Sequence, residues 1–204
     1  MTACTDIPAC WHSSSEARDL TRMIRLFVAI PLPNSLRLLL TSMQGGVPGA
    51  RWVRPENMHL TLRFIGDVEN GIADDLDATL SALHAPPFEL ALSGVGHFGK
   101  AKAARILWTG VGPSGALDHL QTKIEAAITR VGLPLEQRRF SPHVTLARLR
   151  QAPGNRVEQF VANHAGFRAP SFMVSHFTLF SSFLSSSGAT YTPEVEYALT
   201  DYPR

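Results

Sequence analysis

The 204-residue chain has little cysteine, and both of its cysteines, Cys4 and Cys10, fall within the first 22 residues. Residues 23–204 therefore offer no intrachain disulfide framework and no thiolate for a metal or a nucleophile. Long apolar runs are missing too. The apolar stretch from Leu26 to Pro33 is far short of the ~20 residues that span a bilayer, so no membrane role is expected. No sign of charge dominates: a formal net charge of +2 and a pI near 8.7 do not by themselves demand nucleic acid. A Walker-type phosphate loop is absent, and Gly94-Val95-Gly96 lacks the later glycine of a dinucleotide fingerprint.

Residues 1–22 carry Ser13-Ser14-Ser15 and show neither a helical nor a strand period. They read as a disordered extension rather than a secretory signal, because no basic start precedes an apolar core. Met23 is then an alternative start. With 45% hydrophobic residues overall, 23–204 is long enough for one functional unit of two lobes.

Apolar spacing and turn residues predict the elements in order. A buried strand over 24–30 stops at Pro31, and a helix capped by Asn34 covers 35–44. A strand over 59–65 and a helix over 73–83 with an acidic first turn follow. Next come a strand over 88–92, a bend at Gly94-Val95-Gly96 and a strand over 106–111. An amphipathic helix covers 116–131, with Leu117, Leu120, Ile124 and Ile128 in one stripe. The last elements are a strand over 143–149, a short helix over 155–162, and late strands over 172–182 and 191–200 around a Ser/Gly loop at 185–188. The order approximately repeats in the two halves and specifies α+β with mixed or antiparallel pairing.

The strongest functional signal is a pair of similar segments 84 residues apart, His59-Leu60-Thr61-Leu62-Arg63 and His143-Val144-Thr145-Leu146-Ala147-Arg148. Side chains alternate on a strand, so each histidine shares a face with its threonine. Two imidazoles on a common cleft suit paired acid and base work near neutral pH, and threonine hydroxyls can donate to an anion between them. By strict alternation Arg63 continues the His59/Thr61 face, and Arg148 comes just past Thr145; either guanidinium could hold phosphate. Zinc is the rival use of paired histidines, but neither His has a carboxylate or Cys within four residues after it. His12, His84, His97, His119, His164 and His176 read as structural. Arg51, Arg54, Lys100, Lys102, Arg105, Arg138 and Arg139 read either as contacts to nucleic-acid backbone phosphates or as ordinary solvated surface.

These residues resemble the 2H phosphoesterases, named for two His-x-Thr/Ser motifs, and most closely the bacterial and archaeal RNA 2′,3′-cyclic phosphodiesterases, historically called 2′-5′ RNA ligases. The likeness rests on Arg25–Ile30, on Trp52–Gly66 around His59 and on Phe140–Arg148 around His143. Thr178–Ser182 and Tyr191-Thr192-Pro193 add to it. The resemblance implies a bilobal α+β fold with pseudo-two-fold symmetry, two antiparallel or mixed sheets flanked by helices around a central cleft. It also implies metal-independent opening of a 2′,3′-cyclic phosphate to a 2′-phosphomonoester, with His59 as proton donor and His143 as acceptor. Thr61, Thr145 and Arg148 would hold the phosphate, with Arg63 a further candidate. RNA ends or small cyclic nucleotides would be the partners of a cytoplasmic monomer that needs no cofactor. The alternatives are reversible 2′-5′ ligation of tRNA-half-like ends, a non-catalytic nucleotide- or RNA-binding module and a structural interaction protein.

Overall fold

The computed structural model describes residues 23–185 and 188–200. The extension expected over 1–22 lies outside them. The described chain runs β1 (Met23–Pro31), α1 (Asn34–Ser42), β2 (Ala50–Trp52), β3 (His59–Glu69), α2 (Asn70–Ser81), β4 (Phe88–Leu90), β5 (Leu92–Phe98) and β6 (Ile106–Val111). It continues through α3 (Gly115–Arg130), β7 (His143–Leu149), α4 (Gly154–Asn163), β8 (Phe172–Val174), β9 (His176–Ser185) and β10 (Gly188–Ala198). Leaving aside the short β2, which lies between α1 and β3, the run strand–helix–histidine strand–helix occurs twice, as β1-α1-β3-α2 and as β6-α3-β7-α4, in line with the expected approximate repeat.

Every strand pairing among the described residues is antiparallel. One lobe carries β10-β9-β1-β3 and the other β7-β6-β5, with β2 also pairing β7. Within the sheet the two lobes join through a single strand pair, Leu60 opposite Val144. Beyond it the histidine strands diverge, and the opening between them is the cleft. Leu60 and Val144 have no exposed surface, and behind them α2 and α3 close the core with Leu76, Leu80, Leu120, Ile124 and Ile128. Among the described residues no helix is long and apolar enough to cross a membrane.

Several element boundaries differ from the sequence expectation. Asn34 does not cap α1: the cap position is Pro33, which needs no N–H there, and no side chain bonds the first turn. Pairing of Met23 with Glu69 draws β3 out to Glu69, so α2 begins at once at Asn70 and its first turn is not acidic. The expected strand over 88–92 splits, because β4 pairs β8 in a separate two-stranded sheet. Gly94-Val95-Gly96 is not a bend but part of β5. Gly94, at φ +71°, forms a bulge there and donates its N–H to the Phe167 carbonyl at 2.9 Å. Of the expected Ser/Gly loop, Ser185 belongs to β9 and Gly188 to β10, and 186–187 lie outside the described residues.

Candidate active site

The antiparallel register centred on Leu60 and Val144 sets His59 across from Thr145 and Thr61 across from His143. His59, Thr61, Thr145 and Arg148 line one hollow of about 500 Å³ together with Arg51, Arg54, Asn57 and Tyr191. His143 lines a neighbouring groove of about 580 Å³ that shares Thr61 with the first.

Both imidazoles are held by the backbone just before their strands. His59 Nδ1 lies 2.9 Å from the Asn57 carbonyl, and His143 Nδ1 lies 2.7 Å from the Ser141 carbonyl. A carbonyl only accepts, so each Nδ1 carries hydrogen and donates, which leaves each Nε2 as the working nitrogen. The turn Pro55–Asn57 that supplies the first carbonyl is tied to β10 by Asn57 Nδ2, which donates to the Ala189 carbonyl at 3.0 Å.

The two surroundings are not alike. Phe27, Tyr191 and Phe180 enclose His59 with ring centroids at 4.8, 5.2 and 6.1 Å. Among ring contacts in the described residues, His143 has one, with Phe98 edge-on at 4.8 Å. Burial pushes the His59 imidazole down to about 4, against the raising pull of the Asn57 carbonyl, while the positive groups of Arg148 and His143 lower it further.

A bulge in each histidine strand decides where the arginines point. In β3, Val28 pairs with Arg63 and Ala29 with Thr61, so Leu62 is the extra residue. In β7, Leu107 pairs with Ala147 and Trp108 with Thr145, so Leu146 is the extra residue. Both residues at each bulge are buried, and alternation resumes one position late. The residue returning to the cleft is therefore the fifth after the histidine: Arg148 in β7 and Phe64, which is 47% exposed, in β3.

Arg63 is consequently off the His59/Thr61 face; it borders the groove of His143, but its guanidinium is engaged with other groups rather than held ready for the phosphate expected of it. Its Nε lies 2.8 Å from Glu125 Oε2 on α3, off the hydrogen-bond line, and its two terminal nitrogens donate to the Phe64 and Pro134 carbonyls. Glu136 stands 3.8 Å away. Among the described residues no group of three or more His, Cys, Asp or Glu side chains comes together as a metal site.

A sequence profile for the family described as LigT like Phosphoesterase matches residues 30–108 and 111–191, each stretch containing one of the two His-x-Thr motifs. The chain belongs to the LigT-like phosphoesterase family. The Escherichia coli (strain K12) protein named RNA 2′,3′-cyclic phosphodiesterase is 31% identical to it over 180 residues, covering 86% of this chain and 97% of that protein. Proteins of the same name from Geobacillus stearothermophilus and Aeropyrum pernix are each 38% identical over shorter stretches, 128 and 108 residues, or 60% and 52% of this chain. This chain spans 41% and 61% of the length of those two. E. coli LigT complexed with 3′-AMP superposes with a TM-score of 0.70 at 28% identity, covering 88% of this chain and 100% of that one. A Thermus thermophilus protein, TT0787, superposes at 0.73 with 26% identity and the same coverage.

In this LigT-like phosphoesterase a third segment, His176-Phe177-Thr178-Leu179, repeats the spacing of the two motifs, a match the sequence reasoning overlooked. The fold separates it from the cleft. Thr178 is fully buried, and His176 lines a different hollow with Pro31, Phe172 and Glu196. The missing arginine within five residues of His176 was the available signal. In the sequence Tyr191 and Phe180 stand out only through the family likeness. Their place around His59 comes from β9 and β10, more than 100 residues away, and no local pattern announces it.

Proposed function

We propose that this chain hydrolyses the 2′,3′-cyclic phosphodiester at RNA ends to a 2′-phosphomonoester by metal-independent acid–base catalysis between His59 and His143. The observation that carries this reading is the pairing of two His-x-Thr strands, one per lobe, with each imidazole fixed through Nδ1 and each Nε2 without a hydrogen-bond partner among the described residues. The names of the E. coli and archaeal relatives supply the substrate class.

Water enters on the His143 side. Nε2 of His143 takes the water proton as the oxygen bonds to phosphorus, and the P–O3′ bond breaks as Nε2 of His59 gives its proton to O3′. Thr61 and Thr145 donate hydrogen bonds to the non-bridging oxygens, and Arg148 neutralises the charge that builds on them. Donors aimed at developing charge contribute a few kcal/mol, and each positioned acid or base ~10²–10⁴-fold in rate. His59 is neutral in the free protein at pH 7 because of its burial. As donor it takes up its proton together with the anionic substrate, whose charge offsets the cost of that burial.

Protein carrying two protonated histidines has no base, so the acid side of the kcat/KM profile reports the lower of the two free-protein values. The expected acid limb lies near pH 4, below the ordinary histidine range. Phe180→Ala, which opens the ring enclosure, moves it upward. A wild-type limb between 6 and 7, unmoved by that change, contradicts the assignment of His59 to a desolvated site. The activity itself is tested with a short RNA ending in a 2′,3′-cyclic phosphate, with EDTA present. The expected result is undiminished conversion to an end that phosphatase can dephosphorylate. Conversion that stops with EDTA and returns with a divalent ion overturns the metal-independent mechanism.

A further inference from the structure

The hollow beside His59 holds more positive charge than one cyclic phosphate calls for. Arg51 on β2 sits directly opposite Arg148 on β7, and residues so paired share a face with Cβ atoms ~5 Å apart. Like charges in that relation destabilise a sheet unless an anion lies between or beside them. Arg54, two residues beyond β2, lines the same hollow. Among the described residues one carboxylate pairs with these three guanidiniums: Glu56, 3.2 Å from Arg54 on the exposed rim. Neither Arg51 nor Arg148 has an ion-pair or side-chain hydrogen-bond partner among the described residues. The wall they stand on is fixed: Gln44 Nε2 donates to the Val53 carbonyl at 2.8 Å, and Trp52 packs on Phe160 at 5.5 Å.

A cyclic phosphodiester carries a single negative charge, which Arg148 and a protonated imidazole already neutralise. Arg51 and Arg54 are surplus to it. Under the proposed function the 3′ oxygen departs toward His59, so the ribose and its 5′ substituent lie in the same hollow as these two arginines. We propose that Arg51 and Arg54 bind the phosphodiester on the 5′ side of the terminal nucleotide, making an RNA end a better substrate than a lone cyclic nucleotide. This rests on the phosphodiesterase reading, which supplies the direction of the strand.

The test compares kcat/KM at low salt for adenosine 2′,3′-cyclic phosphate, its 5′-phosphorylated form and the dinucleotide ApA ending in a 2′,3′-cyclic phosphate. One charge-assisted contact to a phosphate corresponds to ~10-fold or more. The dinucleotide is expected to exceed the mononucleotide by about that factor, with a salt slope steeper by ~0.7. The double variant Arg51→Ala/Arg54→Ala reduces the ratio to near one, whereas Arg130→Ala, which removes an exposed charge at the far end of α3, does not. An equal advantage for the 5′-phosphorylated nucleotide supports recognition of the phosphate whatever follows it. Equal values for all three substrates, or an advantage that survives the double variant, overturns the inference. Failure to turn over even the mononucleotide counts instead against the phosphodiesterase reading.

Discussion

His59→Ala and His143→Ala are each expected to lower turnover of a 2′,3′-cyclic phosphate by ~10²–10⁴-fold while leaving the fold intact. Each imidazole projects from the cleft face of its strand, and the core contacts of β3 and β7 are made by Leu60, Leu62, Val144 and Leu146 on the other face. Loss of the ring therefore removes proton transfer without opening the core. The two effects are not additive, because donor and acceptor serve a single displacement: once one is gone, removing the second costs less than its own single effect. His176→Ala is the informative control, since it has the same local spacing but lines another hollow. Steady-state rates with thermal melts on all three variants read this directly. A His59 or His143 variant turning over near the wild-type rate would end the two-histidine mechanism.

Arg63 and Arg148 are expected to separate cleanly into a folding role and a binding role. Arg63 and Glu125 have side chains only 9% and 13% exposed, so Arg63→Met leaves a carboxylate nearly buried without its partner. Breaking such a pair from one side costs ~3–5 kcal/mol, and at ~2–4 °C per kcal/mol for a chain of this size the melting temperature falls by roughly 6–20 °C. Arg63→Met with Glu125→Met recovers part of that loss: no charge is stranded, but the Phe64 and Pro134 carbonyls lose their donor and the Glu136 N–H its acceptor. Arg148→Ala does the opposite. It sits exposed on the cleft face, so stability hardly changes while kcat/KM falls by ~10²-fold through lost charge stabilisation. If Arg63→Met left the melt unchanged and abolished activity, the reading of the bulge in β3 would be wrong.

That bulge marks the boundary of what the sequence made legible. Strict alternation from His59 reaches Thr61 correctly because both precede it. It fails at Arg63 because Leu62 is an extra residue that shifts every later side chain by one face. The same device in β7 brings Arg148 to the cleft from a position that alternation alone would have turned away. The helices around Leu76–Leu80 and Leu117–Ile128 were readable from their stripes, since burying one face is a local demand on sequence. Their starts were less readable: how far β3 runs before α2 begins depends on its pairing with Met23. The enclosure of His59 by Phe27, Phe180 and Tyr191 joins three strands distant in sequence, so it became visible only in three dimensions.

The central claim is an in-line displacement between His143 and His59 that releases the 3′ oxygen. Hydrolysis of adenosine 2′,3′-cyclic phosphate in the presence of EDTA, followed by ³¹P NMR, tests it most directly. A single new resonance from 2′-AMP is the predicted result. Accumulation of 3′-AMP, or no turnover at all, would contradict it.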